Sequence, residues 1–130
     1  MAEFMILPPL VIGVILGIVE LSFVHADERG MSWLTHGLHA IPVMFIFIFI
    51  SMNITWALSL ANLHNTLWIS IGVRALIGII AMVKIGSAAA IAGRVGEKKF
   101  HVLIIGLLVI AAPYIWDYLL KGLVGKYLPF

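Results

Sequence analysis

The sequence predicts an all-α integral membrane protein, a bundle of four transmembrane helices joined by short loops. Of its 130 residues, 63% are hydrophobic and only 11% are charged, about half the charged share of an ordinary soluble domain. The mean hydropathy is +1.16, and the apolar residues suffice for roughly four spans of about 20 residues each. These observations argue against a soluble globular enzyme and against a disordered chain.

Four apolar segments are expected to cross the membrane within a single domain, residues 1–130. The first span follows Pro8 and Pro9, because proline lacks an N–H that the first turn of a helix leaves unpaired in any case. The second span contains the uninterrupted apolar run 43–50. The expected spans are residues 9–25, 39–62, 67–93 and 101–121.

Polar segments separate these spans. Residues 25–30 follow the first span, and residues 32–38 are expected to form a short interfacial turn of helix with Trp33 at the level of the lipid headgroups. A tight turn at residues 64–66 precedes the third span, and the charged segment 94–99 precedes the fourth. With connections this short, consecutive spans are expected to run in opposite directions.

The first four residues are interpreted as a remnant of cloning. Glu3-Phe4 is the dipeptide that an EcoRI restriction site encodes in frame, and a second methionine follows at once. Met5 is therefore expected to be the native start.

Composition also narrows the chemistry and the partners. The sequence has no cysteine, which excludes disulfides, thiol redox chemistry, and zinc or iron–sulfur sites held by cysteine. The net charge of +2 is scattered along the chain, so no basic stripe indicates nucleic-acid binding. The expected partners are the lipid bilayer and either further copies of this chain or other membrane subunits.

The distribution of lysine and arginine predicts the orientation of a multi-pass protein. Four spans place both termini on one side of the membrane and segments 25–38 and 94–100 on the other. By the positive-inside rule the side with more basic residues is cytoplasmic, which assigns segment 94–100 to the cytoplasm. The residues compared are Arg29, Arg94, Lys98 and Lys99 on that side, against Lys121 and Lys126 on the terminal side.

Small residues recur at helical spacing within the spans. Gly13 and Gly17 are four residues apart in the first span, and a second set lies near the end of the third. Small residues at this spacing let helix backbones approach closely. They are consistent with packing inside one bundle and with a seam between copies of the chain. The second set is Gly86, Ala89, Ala90 and Gly93.

Four charged residues fall inside the predicted spans, where each costs a few kcal/mol at the bilayer centre and needs a partner. Glu20 and Lys84 are expected at similar depth, toward the 94–100 side. Arg74 and Asp117 are expected at similar depth, toward the terminal side. The sequence therefore predicts two pairs of opposite charge, Glu20–Lys84 and Arg74–Asp117.

Two interpretations of these charges stay open. In the first, both pairs are structural and fix the register of the helices. In the second, they mark a polar route through the bundle, with Glu20 as a carboxylate that takes up and releases a proton. Asn53, in the middle of the second span, is expected to form a hydrogen bond between helices.

Histidines gather on one predicted side of the membrane, namely His25, His36, His39 and His101. His36 and His39 share one face if their segment is helical. Together with His25 and Asp27 they offer enough nitrogen and oxygen atoms for a zinc or copper ion. Interfacial histidines without a ligand, or a pH sensor, are the alternatives. No other cofactor is indicated.

Two classes of function are compatible with these features. The first is a small homo-oligomeric channel or transporter for an ion, a proton or a small solute. The second is a non-catalytic accessory or scaffold subunit of a larger membrane protein complex. An enzyme ranks third, and its only candidate site is the histidine patch from His25 to His39.

Overall fold

The computed structural model describes residues 3–27, 30, 32–91 and 98–128, apart from the side chains of residues 36, 39 and 88–91. Its secondary structure in these ranges consists of helices and contains no strands. The helices are α1 (Leu7–Asp27), α2 (Trp33–Met52), α3 (Ile54–Leu60), α4 (Leu67–Ile91) and α5 (Lys99–Ile115), then a π-helical turn (Trp116–Leu120), α6 (Lys121–Val124) and a 3-10 turn (Gly125–Tyr127).

Among the described residues, four helical segments are long and apolar enough to cross a membrane. Their bounds differ from the predicted spans by two residues at each end for the first, by up to six residues at one end for the third and fourth, and most for the second. Helix α2 begins at Trp33, because the Ser32 hydroxyl accepts a hydrogen bond from the Thr35 N–H and caps the helix. The turn expected at 32–38 is therefore continuous with the second long helix. The segments are Leu7–Asp27, Trp33–Met52, Leu67–Ser87 and Lys99–Tyr127.

The second predicted span is interrupted at Asn53. The backbone there leaves the helical region, with φ −102° and ψ 35°, and α3 continues from Ile54. The Asn53 side chain offers the backbone hydrogen bonds that compete with those of a regular helix. The consequence is a local break in the middle of an otherwise apolar segment.

The four long helices form a ring in which each packs on at least two others, and α2 and α5 also pack directly on each other. Helix α1 packs on α2 and, over a smaller area, on α5, whereas α4 packs on α2 and α5. Helices α1 and α4 therefore lie diagonally opposite each other. The centre of the ring is filled by apolar side chains with no exposed surface, namely Ile12, Met44, Ile48, Ile105 and Val109.

Glycines let the helices approach closely within the chain. A Cβ atom at Gly13 would lie 2.6 Å from the Phe45 ring, and one at Gly17 would lie 3.7 Å from Met44. A Cβ atom at Gly86 would lie 3.5 Å from Val102. The predicted small-residue stripes thus pack α1 on α2 and α4 on α5. Ala89, Ala90 and Gly93 lie outside the described side chains, and a seam between copies stays a prediction.

The contacts between α4 and α5 define one continuous antiparallel register. Val102 faces Gly86, Met82 fills the space beside Gly106, and Ile110 fills the space beside Gly78. Each step of four residues back along α4 is matched by a step of four forward along α5. The next step in this register places Tyr114 opposite Arg74, and a cation–π contact joins these two residues.

Candidate functional site

Glu20 is a fully buried acidic residue in the core of the bundle. It belongs to a stripe of α1, spaced four residues apart, whose other members are apolar and buried. The Glu20 side chain has 0% exposure, and neither carboxyl oxygen has a hydrogen-bond partner in the described part of the protein. An acidic side chain therefore occupies a position where the spacing of the stripe predicts an aliphatic side chain. The other members are Ile12, Leu16 and Val24.

The structure does not bring Glu20 and Lys84 together. Phe23 stacks on His101 and Val102 faces Gly86, so the registers place both charges near the level of Ile105. However, α1 and α4 are diagonal, and the α4 residue that faces the core at this level is Ile85. The Lys84 side chain, one residue and about 100° away around the helix, is exposed on the outside.

Arg74 is held by α2 and α5 rather than by Asp117. Its Nε donates a hydrogen bond of 3.2 Å to the Ser51 carbonyl oxygen, and its Cζ lies 5.6 Å from the centre of the Tyr114 ring. Asp117 is exposed, and no ion pair joins it to Arg74 among the described residues. The α4–α5 register explains this, because it places Tyr114 opposite Arg74 and Asp117 three residues further along.

Ser51 is a buried polar residue that the sequence analysis missed. Its hydroxyl donates a hydrogen bond of 2.8 Å to the Val109 carbonyl oxygen. Pro113, four residues after Val109, has no N–H to donate to that carbonyl. Ser51 supplies the missing donor across the α2–α5 contact, and its own carbonyl accepts from Arg74. The available sequence signal was a proline in an apolar span, whose freed carbonyl needs a partner.

Asn53 links the break after α2 to the segment before α1. Its Nδ2 donates to the Met5 carbonyl oxygen at 2.9 Å and to the Phe49 carbonyl oxygen at 3.0 Å. Its Oδ1 accepts from the Met5 N–H at 2.6 Å. The expected hydrogen bond between helices is not among these, because the partners are Met5, which precedes α1, and Phe49 of the preceding helix.

Asp27, one of the proposed metal ligands, is occupied by contacts at the start of α5. Its Oδ2 accepts hydrogen bonds from the Lys98 N–H at 2.9 Å and from His101 Nδ1 at 2.6 Å. The Lys98 amine lies 3.5 Å from the other carboxylate oxygen. The Asp27 side chain is 2% exposed. A carboxylate is favourable here, because the N–H groups at a helix N-terminus are unpaired within the helix.

The predicted histidine metal site is not assembled by the described residues. His25 stacks on Trp33 with ring centres 3.8 Å apart, and Asp27 bonds to His101 instead. The side chains of His36 and His39 lie outside the described part of the chain. Among the described residues, no group of three His, Asp or Glu side chains could hold a metal ion.

Two cavities open on the surface near the N-terminal segment. One of about 310 Å³ is entirely apolar and lies between Phe4 and the end of α2. Another of about 520 Å³ is bordered by the N-terminal segment, Trp116 and Lys121. Glu20 does not line either cavity.

The chain matches no protein-family model, no curated protein and no solved structure. The functional argument consequently depends on the site itself.

Proposed function

We propose that the chain is a multi-pass integral membrane protein that moves protons, or a small ion or solute coupled to protons, across the bilayer as a homo-oligomer. Glu20 is the group that takes up and releases the proton. The observation that supports this proposal is the complete burial of Glu20 without a partner for either carboxyl oxygen.

A structural role does not account for Glu20. An ion pair would stabilise a buried carboxylate, but no cation lies within reach among the described residues. A leucine at this position would continue the apolar stripe of α1 without placing an unpaired polar group in the core. Buried polar groups that lack partners are rare in native proteins and are frequently functional. Ionisable groups inside membrane spans mark proton and ion pathways for the same reason.

The pathway to Glu20 is closed in the described conformation. Apolar side chains such as Ile12, Met44 and Ile105 fill the centre of the ring. Proton transfer to Glu20 therefore requires water to enter between α1 and its neighbours α2 and α5. A proton needs only a transient file of water molecules, whereas a larger solute needs more space than four packed helices enclose. Assembly from several copies would supply that space.

The direct experiment is proton flux into liposomes that contain the purified protein and a trapped pH-sensitive dye. The wild type is expected to carry flux above the rate of empty liposomes, and Glu20→Gln is expected to abolish it. Glu3→Gln is the matched control, since it makes the same chemical change at an exposed residue outside the spans. Equal flux through the wild type and Glu20→Gln would refute the role of Glu20.

The second candidate function is an accessory subunit of a larger complex. The observation that favours it is Lys84, an exposed cation near the end of a membrane-spanning segment, where an acidic group of a partner would neutralise it. Size exclusion with light scattering distinguishes the two. A discrete homo-oligomer with flux supports transport, whereas a monomer without flux supports the accessory role.

A further inference from the structure

We infer that Arg74 binds the phosphate group of an anionic phospholipid on the membrane side that holds the termini. This site is separate from Glu20, and its existence does not depend on flux through the protein. The geometry of the arginine, its depth and its unpaired donors point to this ligand.

The guanidinium of Arg74 is fixed in place but only partly satisfied. One hydrogen bond from Nε to the Ser51 carbonyl and the face of the Tyr114 ring hold its orientation. Within the described part of the chain, neither terminal nitrogen donates a hydrogen bond. The side chain is only partly buried, which leaves part of it exposed at the outside of the bundle.

The depth of Arg74 puts a lipid phosphate within reach. It lies seven residues after Leu67, the first residue of α4, which corresponds to about 10 Å along the helix axis. A long side chain on a helix leans toward the N-terminus, so the guanidinium extends back toward the membrane surface. Trp68 is 80% exposed at the start of the same helix, as expected for a residue at the headgroup level.

A phosphate matches the unpaired donors better than the alternatives within the chain. The terminal nitrogens of arginine present parallel N–H groups that bind two oxygens of a phosphate at once. The nearest acidic candidate, Asp117, lies three residues beyond Tyr114 and forms no ion pair with Arg74 among the described residues. Tyr114 is 41% exposed, so the ring that contacts Arg74 lies at the surface of the bundle.

The first test measures contact between Arg74 and phosphorus directly. Solid-state NMR on protein with isotope-labelled arginine, in phosphatidylglycerol bilayers, reports carbon–phosphorus proximity. The Arg74 guanidinium carbon is expected to show a phosphorus contact, and Arg74→Lys identifies its signal by removing it. A wild-type protein whose Arg74 carbon shows no phosphorus contact would overturn the inference, and this result does not depend on whether any variant folds.

The second test measures affinity, by retention of phosphatidylglycerol on the protein in native mass spectrometry. Arg74→Gln is expected to weaken retention about tenfold or more, as the loss of a bidentate charged pair implies. Arg74→Lys should retain an intermediate amount of lipid, because lysine keeps the positive charge but lacks the parallel N–H groups of the guanidinium. Lys84→Gln is the matched control near the opposite end of the span and should leave retention unchanged. Equal losses in both glutamine variants would show a general charge effect and contradict a site at Arg74.

Two further experiments test free phosphate and Asp117 as alternative partners of Arg74. In phosphorus-free maltoside micelles, inorganic phosphate alone should give no contact with Arg74. If inorganic phosphate contacts Arg74 and excess lipid does not displace it, the site binds free phosphate. That result would overturn the lipid assignment. Asp117→Asn should leave lipid retention unchanged. A large gain in this variant would show that Asp117 neutralises Arg74 in the membrane, which also overturns the inference.

Discussion

The hydroxyl of Ser51 donates a hydrogen bond to the carbonyl oxygen of Val109 across a helix–helix contact, at 2.8 Å. That carbonyl lacks its helical donor because Pro113 has no N–H. A serine on α2 thus completes the backbone hydrogen bonding of α5. The carbonyl oxygen of Ser51 also accepts a hydrogen bond from Arg74. Ser51 therefore joins helices α2, α4 and α5 through hydrogen bonds.

Ser51→Ala is expected to destabilise the protein by about 1 kcal/mol, because the buried Val109 carbonyl would lose its donor. The measurement is equilibrium unfolding in mixed detergent and SDS micelles, followed by circular dichroism. Ser59→Ala is the matched control, since Ser59 is exposed and bonds only within its own helix. In a Pro113→Ala background the regular helical donor returns, and the cost of Ser51→Ala should fall. An undiminished cost there would contradict the proposed role of the hydroxyl.

Gly13→Ala is expected to destabilise the protein by about 1–3 kcal/mol, as overpacking in a filled interior does. The new methyl group would lie 2.6 Å from the Phe45 ring, so either that ring or the α1–α2 contact would have to shift. Gly72→Ala, whose Cβ would meet nothing within 4 Å, should stabilise the helix by about 0.5–1 kcal/mol. Unfolding of both variants under the same conditions tests the α1–α2 contact. Similar effects of the two substitutions would show that the contact is looser than described.

Asp27→Asn is expected to destabilise the protein by about 1–3 kcal/mol. The substitution removes the negative charge of the group that accepts hydrogen bonds from the Lys98 N–H and from His101. Hydrogen bonds to a charged group are stronger than hydrogen bonds between neutral groups. Asp117→Asn makes the same change at an exposed position and should be close to neutral. The readout is again the unfolding midpoint. If the two variants unfold at the same denaturant concentration, Asp27 does not anchor the start of α5.

Glu20→Leu is expected to raise the free energy of unfolding by about 1–4 kcal/mol while abolishing flux. Replacing a buried charged group by a well-packed apolar one of similar volume is often stabilising, and leucine continues the stripe formed by Leu16 and Val24. A residue that is kept for transport although it lowers stability should, when replaced, give a more stable but inactive protein. A destabilised Glu20→Leu protein would instead mean that Glu20 holds the fold together through a partner.

Hydropathy along the chain was sufficient to predict the four long helices, because the length and apolarity of a span are local properties. It could not predict the break at Asn53, which depends on a hydrogen bond to the backbone of Met5, 48 residues away. The start of α2 at Trp33 was also missed. A polar cap at Ser32 extends a helix beyond its apolar part, and hydropathy alone does not register that extension.

The charged residues show what sequence periodicity leaves undetermined. Counting along the spans predicted that Glu20 and Lys84 lie at similar depth. It did not give the rotation of each helix or which helices are neighbours. Lys84 points outward from a helix diagonal to α1, and Arg74 meets Tyr114 in place of Asp117. The first outcome follows from the arrangement and rotation of the helices, and the second follows from the α4–α5 register. No local pattern encodes either property.

The most direct test of the role of Glu20 combines labelling and flux on one sample. A carbodiimide soluble in lipid reacts with carboxyl groups in apolar surroundings, and mass spectrometry locates the modified residue. Glu20 is expected to be labelled, and flux is expected to fall in proportion to its labelled fraction. In Glu20→Gln the label should be absent at this position. Full labelling of Glu20 with unchanged proton flux would contradict the proposal that this carboxyl group carries the transported proton.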